Sequence, residues 1–321
     1  GISYVSNILY RVLNEQKDKK FLKDTFGAYI SPELIDQMYE EKQEPKLGGN
    51  TGYHTAFFSD IQSFSAFSEV MEPEAMVKLM NDYLTEMTNI LLDHQGTLDK
   101  YIGDSIVAFY GAPVTVEEHE LLACKTALAM EKKIVELREK WSHEDDKPDL
   151  VHHLRHRVGL NSGPMVTGNM GSEMRMNYTM MGDTVNLAAR LEASAKQYGI
   201  YIQVANETYS ACKDKFVWRD LDYVRVMGKT EPAQVYELIA VAGNDTEQEK
   251  TFLKAYHEAL ELYRNQDWDK AIAAFKAADE LEDMFPGRKT NPSRVYIPRC
   301  DHWKANPPGD DWDGVWTLTS K

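Results

Sequence analysis

Asp60 and Asp104 stand where side chains can converge. Asp60 closes the apolar run YHTAFFS (53–59), which reads as a strand, and Asp104 lies in the turn of IGDS (102–105), between two short apolar runs that signal a hairpin. Strand ends and hairpin tips are places where a scaffold presents reactive groups to a cleft. Two carboxylates from adjacent strands can chelate a hard divalent cation through oxygen. Read alone, Asp104 is better explained as a turn former, because Gly-Asp is a frequent turn pair. Its surroundings point to chemistry. Lys100 precedes it on the incoming strand, and Asn186 and Arg190 lie at i and i+4, on one face of a helix that begins just after Gly182-Asp183-Thr184.

The elements that must position these groups follow from spacing. Residues 73–94 carry Met76, Leu79, Met80, Tyr83, Leu84, Met87 and Leu91 at helical intervals, with the methionines reading as core. Residues 117–141 and 184–198 also read as helices. Strands are expected at 154–161, 165–169, 178–181, 200–204, 216–226 and 234–238. Hairpins mixed with crossovers favour an α+β or mixed sandwich over a doubly wound parallel sheet. The Gly-rich stretch 46–52 reads as a linker and not as a phosphate cradle: no strand precedes it and no Gly-Lys-Ser/Thr closes it. Ahead of it, Ile2, Val5, Leu9 and Val12 form a narrow helical stripe, equally an ordinary surface helix or a short coiled coil, and Ser31-Pro32 opens a further helix. Beyond a second boundary at 243–246, residues 252–263 and 268–281 read as a helical hairpin. Trp268, Ala271, Phe275 and Ala278 resemble half of a tetratricopeptide repeat, which must pack on the main domain or on a partner. Trp312 and Trp316 are expected to anchor the tail.

Across 321 residues, 43% are hydrophobic and 27% charged, which supports a folded core and excludes disorder as the main state. Lys and Arg number 36 against 51 Asp and Glu, a net charge of −15, which argues against nucleic-acid binding. An anionic ligand would have to be met by metal ions and a few local cations. Three widely spaced cysteines give neither a disulfide framework nor a Cys-x-x-Cys metal site and point to a reducing compartment. The first residue is Gly1, and the chain reads as a fragment of a longer protein.

Four segments occur in order: FSDIQSFS (58–65), LDKYIGDSIVAFYG (98–111), NYTMMGDTVNLAARLE (177–192) and VMGKTEPAQVYEL (226–238). Together they resemble the catalytic domain of class III nucleotidyl cyclases, the purine cyclases that make cyclic AMP or cyclic GMP, over residues 47–240. The flanks resemble bacterial receptor cyclases: FGAYISP (26–32) is similar to the element before their catalytic domains, and DWDGVW (311–316) recurs after some of them. The resemblance implies a ferredoxin-like α+β fold, a central mixed sheet flanked by helices. The expected organisation is a signalling helix and linker (1–46), the catalytic domain (47–242), and a helical, tetratricopeptide-like hairpin with its tail (243–321). It also implies ATP as substrate, two divalent cations (Mg²⁺ or Mn²⁺), a homodimer, and an upstream sensor or membrane domain that leaves this part in the cytoplasm.

Carried over by position, Asp60 and Asp104 match the metal-holding aspartates, with the backbone carbonyl of Ile61 as a further ligand. Lys100 and Thr179 match the purine-selecting pair, Asn186 the ribose-orienting asparagine, Arg190 the transition-state arginine and Lys229 the lysine on the distal phosphates. Phe64 and Ser65 fall in the segment after the first metal aspartate and are expected on the substrate. In the family the site forms across a dimer, so Asp60 and Asp104 of one chain would face the other residues of its partner. Pro164 stands where some mammalian halves carry a phosphate-binding arginine; bacterial relatives have small residues or proline there.

Base choice follows from hydrogen-bond polarity. Lys100 only donates, which suits adenine N1, and Thr179 can accept from the adenine amino group. Guanylyl members typically carry Glu and Cys in these places. The Thr179 hydroxyl can also donate, so a preference for ATP with some leakage toward GTP is expected. Rival readings are a catalytically silent cyclase-like binding or dimerisation module, a guanylyl cyclase, and a diguanylate cyclase, whose Gly-Gly-Asp/Glu-Glu-Phe turn is absent. His152, His153 and His156 read as a solvated strand entry and not as a zinc site, and Asp183 as the N-cap of its helix.

Overall fold

The computed structural model of the protein describes residues 46–144, 148–224, 232–282 and 289–316, together with 16, 17, 20 and 35. The helices expected over 2–26 and from Ser31 lie outside the described residues.

Eight strands form one mixed sheet in the order β2-β3-β1-β4-β6-β8-β7, with β5 paired to β4 outside that path. The strands are β1 (Gly48–Ile61), β2 (Thr97–Ile102), β3 (Ser105–Tyr110), β4 (His156–Ser172), β5 (Arg175–Met181), β6 (Ile202–Ala205), β7 (Phe216–Val224) and β8 (Ala233–Val241). Only β4 and β6 are parallel among these pairs; the other ladders are antiparallel. The helices are α1 (Phe64–Val70), α2 (Pro73–Asp93), α3 (His119–Ser142), α4 (Asp183–Tyr198), α5 (Asn206–Cys212), α6 (Glu247–Arg264), α7 (Trp268–Leu281) and α8 (Pro292–Ala305). A central mixed sheet flanked by helices is the fold the sequence resemblance implies.

Alternation along the central strands buries both faces. Phe57, Ile106, Ala108 and Tyr110 pack with Tyr83, Met87, Met130, Ile134 and Trp141 of α2 and α3. Their neighbours Ala56, Val107 and Phe109 turn the other way, onto Met165, Met180 and Ala188. The period-2 pattern of an apolar run thus splits between two cores.

The structure departs from the sequence reading in five places. The stretch expected as a linker is strand: β1 pairs with β4 from Gly48↔Asn169 to Ile61↔His156. The backbone ladder overrides the weak strand propensity of Gly and Asn there. The two strands expected at 154–169 are the continuous β4. Gly182, not Asp183, caps α4; Asp183 is the first helical residue, where its charge complements the helix dipole. His156 is fully buried, with Nδ1 3.4 Å from the Tyr83 hydroxyl, and not a solvated strand entry. Finally, α8 was not expected; the Asn291 side chain accepts from the Arg294 amide at its N-terminus and Pro292 occupies the first turn.

The C-terminal helices form one packed unit on the β7 side of the sheet. Tyr263, Trp268 and Trp312 interlock edge-to-face and Trp303 packs tilted on Trp312, with Trp312 seated as expected. Arg219 of β7, fully buried, donates to Glu237 at 2.7 Å and to Glu282 at 2.9 Å and lies 5.2 Å from the Phe252 ring. Arg299 of α8 donates to Asp222 at 2.6 Å, and Trp316 bridges to Val224. All three cysteines are buried and free; Cys124 and Cys212, distant in sequence, bring their sulfurs to 3.9 Å.

Candidate functional site

The β2–β3 connection is a two-residue turn, Gly103-Asp104, between the paired residues Ile102 and Ser105. Gly103 has φ of 64°, a left-handed conformation that glycine adopts without strain. The turn swings Asp104 over the end of β1, where its Oδ2 accepts from the Ile61 backbone N–H at 3.0 Å. Asp60 Oδ1 accepts from the Ser105 hydroxyl at 2.7 Å. The two carboxylates are therefore neighbours, as the sequence suggested. Burial and the adjacent Asp60 charge push Asp104 up to about 6.

Those oxygens form a donor set that fits a hard divalent cation: two close carboxylates at the end of a strand, whose mutual repulsion a cation would relieve. Among the described residues no group of three or more His, Cys, Asp or Glu side chains is arranged to hold a metal. A cation here would thus rest on the Asp60 and Asp104 pair, with backbone oxygen or water completing its shell.

Two charged partners of Asp60 were not singled out from sequence. Arg157, paired directly with Asp60 across β1 and β4, donates to Asp60 Oδ2 at 3.1 Å and to Glu192 Oε1 at 3.0 Å. Burial raises Glu192, Arg157 pulls it back, and Asp60 raises it further. The contact requires α4 to lie close on the sheet. Gly159 permits that: a Cβ there would stand 2.3 Å from the Ala188 carbonyl oxygen and 2.3 Å from the Glu192 nitrogen. The helix start is pinned as well, by Thr184 donating to the Pro164 carbonyl at 2.8 Å and Asn161 donating to the Thr184 carbonyl at 3.0 Å.

Asn186 and Arg190 share the exposed face of α4. Glu192 lies two residues beyond Arg190, about 200° around the helix. The side of α4 that faces Asp60 through Arg157 is therefore not the side that carries Arg190.

A second group forms where β2 and β5 approach. Lys100 Nζ donates to Thr179 Oγ1 at 3.3 Å, so the expected pair meets within one chain. A third residue, absent from the sequence reading, completes it. Asp99, its side chain 1% exposed, accepts the Thr179 hydroxyl proton and lies 3.3 Å from Lys100 Nζ. Strict alternation would set Asp99 and Lys100 on opposite faces, but β2 is irregular at this point: Leu98 pairs with Ala108 and Lys100 with Val107, leaving Asp99 as an extra residue. Such a bulge re-aims side chains.

Phe64 opens α1 and packs partly against the main core, and Ser65 beside it is exposed. Lys229 lies outside the described residues. No described helix is long and apolar enough to cross a membrane.

This geometry can be set beside known proteins. Residues 50–240 match the adenylate and guanylate cyclase catalytic domain. Adenylate cyclase 1 of Rhizobium meliloti is 32% identical over 252 residues, covering 76% of this chain and 36% of the relative. The adenylate cyclase of Anabaena cylindrica is 30% identical, covering 69% of this chain and 42% of that protein. The chain spans less than half the length of either. Among solved structures, the adenylyl cyclase CyaB from P. aeruginosa is similar at a TM-score of 0.54 and 36% identity, over 63% of this chain and 99% of that one. The guanylyl cyclase Cya2 is similar at a TM-score of 0.55 and 29% identity, over 62% of this chain and 97% of that one. With the family matched across most of the sheet and across both candidate groups, the chain belongs to the class III nucleotidyl cyclases, through their adenylate and guanylate cyclase catalytic domain.

Proposed function

We propose that the protein is an adenylyl cyclase that converts ATP to 3′,5′-cyclic AMP and pyrophosphate at sites shared between two copies of the chain. The observation that carries this reading is the meeting of Lys100 of β2 with Thr179 of β5 at 3.3 Å, in a chain whose β2–β3 turn also presents Asp104 beside Asp60. A base-reading pair and a carboxylate pair then belong to one scaffold.

In the reaction the ribose 3′ oxygen bonds to the α-phosphorus, the bond from that phosphorus to the bridging oxygen breaks, and the hydroxyl proton leaves. Two divalent cations held by Asp60, Asp104 and the Ile61 carbonyl would supply charge neutralisation and acidify the attacking hydroxyl. Lys100 donates to adenine N1 and Thr179 accepts from the amino group. Asn186 orients the ribose. Arg190 offers its planar fork of donors to the α-phosphoryl oxygens as charge builds. Lys229 is assigned to the leaving pyrophosphate, where a point charge suffices. The backbone at Phe64 and Ser65 and the Ser65 hydroxyl, just along the chain from Asp60, are assigned to the phosphates.

The dimer is supported by the helix geometry. Arg190 is exposed on a different side of α4 from Glu192, which reaches Asp60 through Arg157. A site that uses both Asp60 and Arg190 is completed by a second chain. An upstream sensor would act by changing how the two chains are juxtaposed.

Purified protein incubated with ATP or GTP, each with Mg²⁺ or Mn²⁺, tests the chemistry. Cyclic AMP from ATP is expected; equal rates with GTP would sink the adenylyl assignment, and no product from a dimeric sample would favour the silent module. Mixing Asp60→Ala with Arg190→Ala chains, each inactive alone, should recover activity at one site of the mixed dimer.

A further inference from the structure

We propose that Asp99 is a positioning residue that fixes the hydrogen-bond polarity of Thr179 and thereby makes the base-reading pair selective for adenine over guanine. The inference rests on the adenylyl cyclase reading of the same site.

A threonine hydroxyl has one proton to give and two lone pairs to receive. Free to rotate, it could satisfy either purine: it can accept from the adenine amino group or donate to guanine O6. Here it is not free. Its proton is given to Asp99 Oδ2, and one lone pair takes Lys100 Nζ at 3.3 Å. What remains for a base is a lone pair. That matches the amino group of adenine and opposes the carbonyl oxygen of guanine.

Asp99 is suited to hold that arrangement. Its side chain is 1% exposed, so water does not compete for it. The Thr179 hydroxyl and the backbone amide of Met180 donate to it, and the Lys100 ammonium lies 3.3 Å from Oδ1 as an ion pair. Burial, the largest cause, leaves its pKa raised, while Thr179, Lys100 and the Met180 amide pull it down. A carboxylate that receives a backbone amide and faces an ammonium acts as acceptor toward Thr179. To donate to guanine, Thr179 would have to leave a buried carboxylate short of a donor, which is costly. Sites built to pair with a particular donor pattern reject the wrong one strongly for this reason. Lys100 keeps protons to spare after contacting Asp99, so its donation to adenine N1 is undisturbed. The bulge in β2 is what makes the triad possible, because it brings two consecutive side chains to the same hydroxyl.

The test compares kcat/KM for ATP and GTP in wild type, Asp99→Ala, Asp99→Asn, Thr179→Val and the Asp99→Ala/Thr179→Val double variant. Freeing the hydroxyl should raise the GTP-to-ATP ratio about ten- to hundredfold in Asp99→Ala. In the Thr179→Val background, where no hydroxyl needs orienting, removing Asp99 should leave the ratio unchanged. Equal losses with both nucleotides, at an unchanged ratio, would assign Asp99 a purely structural role and overturn the proposal. Should Asp99→Ala fail to fold, Asp99→Leu, close in shape to aspartate but without an acceptor, carries the same comparison, with a rise in the ratio expected, while Asp99→Asn, which keeps an acceptor for the Thr179 proton, should stay near wild type. Competition of ATP and GTP for a fluorescent ATP analogue reads the same ratio from binding alone. If wild type forms no cyclic nucleotide the cyclase reading falls, while the binding ratio still decides the role of Asp99.

Discussion

Under the C-terminal helices, Arg219 is fully buried between Glu237 and Glu282, and Arg299 donates to Asp222. At the corner of β1 and the β2–β3 turn, Asp60 and Glu192 share Arg157, while Asp104 receives the Ile61 amide and sits against the Asp60 charge. Both regions gather carboxylates, buried under the tail and half-buried at the corner. The tail interface matches them with guanidinium groups that the chain supplies, so its charges are structural. The corner keeps two like charges side by side, enough to hold a proton on Asp104 up to a pH of about 6. Strain of that kind persists where a ligand relieves it, and a cation relieves this one.

The contrast can be broken in three ways. The largest effect is expected from Asp104→Asn, which keeps an acceptor for the Ile61 amide but removes the charge. Turnover should fall on the order of a thousandfold, while thermal unfolding shifts little or moves upward, since a like-charge pair is gone. A sharp drop in melting temperature would mean that Asp104 is structural after all. Next is Arg219→Ala, which strands two buried carboxylates. Denaturant unfolding should show a loss of about 3–5 kcal/mol, with the folded fraction still turning over; a loss of turnover without loss of stability would erase the distinction between the regions. The smallest is a pH effect. A cation binds the ionised pair, so its affinity should be level above pH 6 and fall about tenfold per unit below it, as Asp104 takes up its proton. Mn²⁺ titration by calorimetry at several pH values checks the sign, and affinity that stays level down to pH 4.5 would contradict the shift.

Much of the candidate site was legible because its residues sit in short, local patterns. Gly103-Asp104 specifies a tight turn, and Asn186 and Arg190 share a helix face by spacing alone. What stayed hidden depends on register. Arg157 meets Asp60 only because β1 and β4 pair in one frame, and a shift of one residue would turn it to the other face. Glu192 meets Arg157 only because Gly159 lets the helix lie against the sheet. His156 is buried for the same reason: its strand runs under α2 and α3 instead of entering from solvent. The α8 helix, with Pro298 inside it, has no simple periodicity to announce it.

The sequence by itself determined the family, the mixed order of strands and helices, the carboxylate pair, the lysine–threonine pair and the asparagine and arginine on one helix face. Each is encoded in residues a few positions apart, where turn chemistry and period act directly. The tertiary structure alone decided that Lys100 and Thr179 touch, that Arg157 ties Asp60 to α4, and that Asp99 takes the proton of Thr179. Those contacts join residues far apart in the chain, or neighbours that alternation would separate. They exist because strand register and a bulge in β2, set by the packing of the whole sheet, bring them within hydrogen-bond reach.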